Sequence, residues 1–149
     1  MNSLKTHSEE ETIELGRQLA QRLPSKCTVL LIGNLGAGKT ALAKGILNGL
    51  GVASIEEVTS PTFTLIHEYG DGRAFHLDLY RLDTEAEVET LGLDEMFDRK
   101  AVVLIEWGER FPRLMPADRV EIELTAEADE SRSIMIRELG TASLRPGTF

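Results

Sequence analysis

The sequence predicts a single α/β domain, a mixed and mostly parallel β-sheet flanked by helices. Three observations predict it. The apolar run Thr28-Val29-Leu30-Leu31-Ile32 passes through a glycine-rich loop into Ala41-Leu42-Ala43-Lys44-Gly45-Ile46-Leu47, which has helical spacing. The stretch Ala101-Val102-Val103-Leu104-Ile105 is apolar at every position, as a strand covered on both faces of a parallel sheet must be. Thr62–Tyr69 and Arg73–Tyr80 alternate around Gly70-Asp71-Gly72 and read as a β-hairpin, the antiparallel component.

The remaining elements follow in order. A helix is expected over residues 8–23, started by Ser8 with Glu11 three positions on, a capping-box pair. Leu15, Leu19 and Leu23 share one face of it, with Thr12, Gly16 and Ala20 nearby, so that face packs on the domain. Pro24-Ser25 ends it, and strand 28–32 and helix 39–50 follow, the latter closed by Gly49 and Gly51. Residues 52–61 are a polar connection. Thr84 caps a short acidic helix to Leu91, and Leu93–Phe97 forms a second turn. Val120–Leu124 and Ser133–Ile136, the latter continuing toward Leu139, are alternating strands. Gly, Pro, Ser and Thr dominate residues 140–149, a tail expected to fray.

A length of 149 residues allows one domain with a real core but no second substrate domain. Twenty-five acids against 16 bases leave a net charge of −9, which disfavours unaided binding to nucleic acid or an anionic membrane. It suits docking onto a basic protein partner or simple solvation of the surface. Cys27 stands alone, so no internal disulfide is available, and its place at the start of a buried strand suits a small core residue. The polar N-terminus and the absence of a long apolar run make the cytoplasm the expected compartment.

Chemistry concentrates in Gly33-Asn34-Leu35-Gly36-Ala37-Gly38-Lys39-Thr40, a G-x-x-x-x-G-K-T loop between a strand and a helix start. That context identifies a P-loop nucleoside-triphosphate site. Glycines let backbone N–H groups turn inward against a polyphosphate, and the helix start adds free amides and the positive end of its dipole. Lys39 is placed to reach the β- and γ-phosphates, and the Thr40 hydroxyl to take one position on Mg²⁺.

Such a loop needs carboxylates at the carboxyl ends of neighbouring strands. Glu106 ends the all-apolar strand 101–105, where a surface glutamate is out of place, and is the candidate catalytic or metal-linked carboxylate. Asp78 shares a strand face with His76 and Tyr80, opposite Phe75, Leu77 and Leu79. That face is either solvated or holds a carboxylate for Mg²⁺ directly or through water. Ser60-Pro61-Thr62 is either a plain turn or a loop whose threonine senses the γ-phosphate. Trp107, beside Glu106, packs in the core or gates the site. His7, His67 and His76 show no metal-ligand spacing with Cys27.

Together, Gly33–Thr40, Ser60-Pro61-Thr62-Phe63-Thr64-Leu65, His76-Leu77-Asp78-Leu79-Tyr80-Arg81-Leu82 and Ile105-Glu106-Trp107 occur in the order seen in the TsaE (YjeE) family, which the chain resembles from the Thr12 helix to Arg132. The resemblance implies a small P-loop ATPase of bacterial tRNA threonylcarbamoyladenosine synthesis. Family members join two larger, related proteins, TsaB- and TsaD-like, that carry the threonylcarbamoyl transfer onto an adenosine beside the anticodon. Their ATP binding and hydrolysis support turnover of that complex. By motif match, Thr40, Glu106 and Asp78 are implied at Mg²⁺, and Gly36, Ala37, Gly38, Lys39, Thr40 and Ala41 at the phosphates. Thr62 is implied in a switch-like loop, and Thr12 and Arg132 at the nucleotide outside the phosphate loop. Asn34, where the family often has Asp, and Ala41, where a second threonine is common, are departures from which no consequence is expected.

No Asn-Lys-x-Asp stretch is present to read guanine, so ATP is expected over GTP. Nor is an arginine-rich lid evident, although Arg73, Arg81, Arg110 and Arg113 occur, so slow hydrolysis without partners is expected. Two other readings compete with the ATPase. One is a small-molecule kinase, against which the acids crowding residues 83–99 count. The other is a nucleotide-sensing adaptor for which hydrolysis is incidental.

Overall fold

The computed structural model describes residues 2–149. Its strands are β1 (Asn2–Thr6), β2 (Cys27–Ile32), β3 (Ile66–Tyr69), β4 (Ala74–Asp78), β5 (Val102–Glu106), β6 (Arg119–Ala126) and β7 (Arg132–Leu139). They form one sheet in the order β1-β7-β6-β2-β5-β4-β3. The four central strands, β6-β2-β5-β4, run parallel, and antiparallel neighbours extend the sheet at both edges.

Both faces of the centre are covered, which is why its strands are apolar throughout. On one face lie α1 (Glu9–Ala20) and α2 (Lys39–Gly49), whose Leu15, Leu19, Leu42 and Ile46 pack with Val29, Leu31, Leu104 and Ile122. The other face carries α3 (Glu85–Glu89), α4 (Leu93–Asp98) and two 3-10 turns, 108–110 and 112–114. There Val88, Met96, Phe111 and Met115 pack with Leu30, Phe75, Val103 and Ile105. The period-2 alternation along β2 and β5 thus feeds two separate cores. Among the described residues no helix is long and apolar enough to cross a membrane.

Helices α1 and α2 touch backbone to backbone. A Cβ on Gly45 would lie 2.0 Å from the carbonyl oxygen of Ile13, and one on Gly16 would lie 2.5 Å from that of Leu42. The start of α1 (Ser8, Glu9 and Thr12) and the glycine loop before α2 line one cavity.

Several expectations are revised. Ser8 caps α1 by accepting from Glu11 N–H (3.1 Å), but the Glu11 carboxylate accepts from the His7 N–H rather than closing a box on Ser8. The full reciprocal box forms instead at Thr84 and Glu87 of α3. Thr62–Leu65 is not strand. Leu65 N–H donates to Pro61 C=O (2.8 Å), making a turn that precedes β3. Strand β1, polar apart from Leu4, was not anticipated, because pairing with β7 rather than its own pattern sets it.

Residues of the tail, expected to fray, make contacts with the domain. Leu144 is buried in the α1–α2 core, Arg145 N–H donates to Arg22 C=O (2.7 Å), and the Arg22 guanidinium lies 4.3 Å from the centre of the Phe149 ring.

Candidate functional site

A cavity of about 670 Å³ opens where the phosphate loop meets the carboxyl ends of β4 and β5. Ten of the residues singled out in the sequence line it: Thr12, Gly36, Gly38, Lys39, Thr40, Ala41, Thr62, Asp78, Glu106 and Arg132. Ala37 is the exception. Its methyl is buried in the core, and its N–H is engaged by Asn34 C=O (3.0 Å), so it stands behind the loop rather than on the cavity wall.

Local rules explain the loop. Gly38 caps α2 at φ 104°, a left-handed conformation that a side chain would strain. From there α2 begins with Lys39 and Thr40 in its first turn, where amides have no partner within the helix. Lys39 is buried as a residue, and its Nζ donates to Gly33 C=O (2.7 Å) and sits 3.5 Å from the centre of the Trp107 ring. Burial pushes its pKa below the usual lysine range, while the Glu106, Glu109 and Asp78 carboxylates oppose that shift.

The acids arrive by strand register. Asp78 and Glu106 are paired across the parallel β4–β5 ladder, and Leu31 on β2 is paired with Glu106. Since Val102 and Leu104 face α2, the alternation puts Glu106 on the same side, under Thr40. Thr40 Oγ1 lies 3.4 Å from Glu106 Oε2. Asp78, on the matching side of β4, is buried rather than solvated. Its Oδ1 accepts from Tyr80 N–H (2.9 Å) and its Oδ2 from Ser60 Oγ (3.1 Å).

Ser60 also lies 3.0 Å from Thr62 Oγ1, so the 60–62 turn is tied to Asp78. Thr12 shares its hydroxyl with Thr6 Oγ1 (2.7 Å), and Arg132 reaches back from β7 to Gly36 C=O (3.3 Å). Among the described residues Arg132 is the arginine on the cavity wall; Arg73, Arg81, Arg110 and Arg113 are elsewhere.

Three contributors escaped the sequence reading. His76 is wholly buried and its Nε2 lies 2.7 Å from Glu106 Oε2. Ser60 belongs to the 60–62 segment expected as either a turn or a γ-phosphate-sensing loop, but its own bond to Asp78 is not legible in the sequence. Lys44, one helical turn past Thr40, also lines the cavity, as its spacing from Thr40 would have shown. Trp107 takes φ 68°, uncommon for a bulky residue, and its ring centre lies 5.0 Å from that of Tyr80 with the planes tilted by 46°.

Thr40, Asp78 and Glu106 offer oxygen donors only. No group of three His, Cys, Asp or Glu side chains forms a ready-made metal centre among the described residues. This donor set fits Mg²⁺, which keeps waters and takes one or two protein ligands beside phosphate oxygens.

The sequence model of the family described as threonylcarbamoyl adenosine biosynthesis protein TsaE matches residues 6–134. The Bacillus subtilis tRNA threonylcarbamoyladenosine biosynthesis protein TsaE is 38% identical over 138 residues, covering 91% of this chain and 85% of that protein. The TsaE of Treponema pallidum is 38% identical, covering 88% of this chain and 96% of its own. The crystal structure of Bacillus subtilis YdiB superposes with a TM-score of 0.76 at 33% identity, covering 93% of this chain and 86% of that one. On sequence and on fold alike, the chain belongs to the TsaE family.

Proposed function

We propose that this protein binds and slowly hydrolyses ATP as a subunit of the machinery that makes threonylcarbamoyladenosine in tRNA. One observation carries the reading: Lys39, Thr40, Asp78 and Glu106 converge on one cavity at the mouth of a G-x-x-x-x-G-K-T loop. The biosynthetic role follows the names of its relatives.

In this reading the loop amides and Lys39 hold the triphosphate, and Arg132 and Thr12 flank the nucleotide. Thr40 with Glu106 or Asp78 would hold Mg²⁺, which when bound neutralises charge on the β- and γ-phosphate oxygens. Ser60 couples Thr62 to Asp78, so the loop facing the phosphates is tied to a metal-side carboxylate. Among the described residues Arg132 is the one arginine on the wall, and it is held against Gly36, so none of them offers a free guanidinium for the γ-phosphate. An arginine supplied by a partner is worth about 10³–10⁵ in rate. The partners are TsaB- and TsaD-like transfer proteins. Exposed Leu35 and Tyr80 on the cavity wall and Phe63, 84% exposed beside Thr62, offer apolar surface at its mouth.

The test is reconstituted tRNA modification with purified partners, with and without this chain, using ATP and a non-hydrolysable analogue. Sustained modification that needs both this chain and ATP is expected. Equal ATP turnover with and without partners, or modification indifferent to the chain, overturns the reading.

A further inference from the structure

We propose that His76 is a positioning residue for Glu106. The inference rests on the ATPase reading for its consequence but on the buried strands for its geometry. His76 lies in the middle of β4 with no exposed surface, and Glu106, 3% exposed, ends the adjacent β5. Their side chains share the α2 side of the sheet, and His76 Nε2 meets Glu106 Oε2 at 2.7 Å. A carboxylate only accepts, so Nε2 is the nitrogen that carries the proton.

The other ring nitrogen, Nδ1, is buried with no hydrogen-bond partner among the described residues. A buried, unsatisfied polar atom is destabilising, and a leucine or valine would fill this strand position without it. The histidine therefore does not serve packing. Among the described residues, the one hydrogen bond of its ring is to Glu106.

That bond decides which oxygen of Glu106 is free. The contacts from His76 and from Thr40 (3.4 Å) both fall on Oε2. With the carboxylate pinned through Oε2, its plane is set and Oε1 keeps its lone pairs for the cavity. Without the imidazole the side chain retains only the long Thr40 contact and can rotate. Groups that orient a metal-side ligand in this way are worth about 10–100-fold in metal affinity or activity.

His76→Leu removes the donor at similar apolar volume, and His76→Gln restores an N–H near the position of Nε2. For each variant, kcat, KM and the ATP Kd with and without Mg²⁺ are measured, beside thermal melts. His76→Leu is expected to lower kcat and the Mg²⁺-dependent gain in ATP affinity by about 10–100-fold. The Mg²⁺-free Kd should stay within about twofold of the parent, and His76→Gln should recover most of the loss. In a Glu106→Gln background, where binding is the readout, His76→Leu should add nothing further to the loss of Mg²⁺-dependent ATP affinity.

Three results each overturn the assignment: a His76→Leu protein that behaves like the parent, a His76→Gln protein no better than His76→Leu, or an undiminished loss in the Glu106→Gln background. If His76→Leu does not fold, His76→Asn replaces it. Its shorter amide should fail where Gln succeeds, and equal behaviour of the two overturns the proposal. If the parent protein turns over no ATP, the ATPase reading fails while the Mg²⁺ comparison of affinities still decides the role of His76.

Discussion

The ammonium of Lys39 is stacked 3.5 Å above the centre of the Trp107 ring while it donates to Gly33 C=O at 2.7 Å. Two modest contacts thus hold the one lysine that the phosphate loop positions. A cation–π contact contributes about 0.5–2 kcal/mol, whereas bonds to a polyphosphate are charged on both sides and stronger. A triphosphate on the loop therefore wins the ammonium from the indole. ATP should change the fluorescence of Trp107, the chain's single tryptophan. Lys39→Ala should weaken ATP binding by about 100-fold or more, read by calorimetry, and abolish the fluorescence response. Unchanged affinity would refute the site.

Asp78 and Glu106 are expected to separate binding from chemistry. Asp78→Asn keeps an oxygen for the Tyr80 N–H but removes the charge. Mg²⁺-dependent hydrolysis should fall at least about 10-fold more than ATP affinity, and equal losses in both count against a metal role. Glu106→Gln should bind ATP and not hydrolyse it. Normal multiple-turnover tRNA modification by that variant would mean that hydrolysis is dispensable and that the chain acts as a nucleotide-sensing adaptor.

The contact between α1 and α2 predicts an unusual cost for a small change. Alanine normally gains about 1 kcal/mol over glycine inside a helix. At Gly45 the added methyl would fall 2.0 Å from the backbone oxygen of Ile13, which cannot swing aside as a side chain can. Overpacking of this kind costs about 1–3 kcal/mol, so the clash outweighs the propensity. Urea denaturation of Gly45→Ala should show a net loss of stability, together with weaker ATP binding because α1 is pushed off the phosphate loop. A stabilised variant would contradict the packing.

Cys27 gives the protein an alkaline weakness. Burial raises its thiol pKa from the ordinary 9.0 to about 11. Between these values the folded chain keeps a proton that the unfolded chain has lost. Stability is therefore undiminished below about pH 9 and falls as pH rises toward about 11, by about 2–3 kcal/mol in all. Denaturation midpoints of the parent and of Cys27→Ala, compared from about pH 8 to about pH 10.5, should converge as pH rises. A constant difference between them would show that the thiol does not titrate this way.

Much of this protein could be read from the chain because the physics involved is local. The glycine loop, the apolar β2 and β5 and the capping residues Ser8 and Thr84 act within a few positions of themselves, so their patterns survive in one dimension. Even the placement of Glu106 followed from the end of an apolar run. Other features needed partners distant in sequence. Strand β1 exists because β7 offers it a ladder, and the tail is held because Arg22 and Glu138 bond it.

The family motif implies Ala37 at the phosphates, yet the core claims its methyl and Asn34 C=O its amide. Whether the face of His76 and Asp78 met water or protein was undecidable from alternation, which fixes sidedness but not what covers a side. Sequence alone determined the strand–loop–helix, since backbone conformation and residue type settle it. Only tertiary structure decided that β4 and β5 lie adjacent and in register, and this brings an imidazole, a hydroxyl and two carboxylates from distant segments within reach of one another.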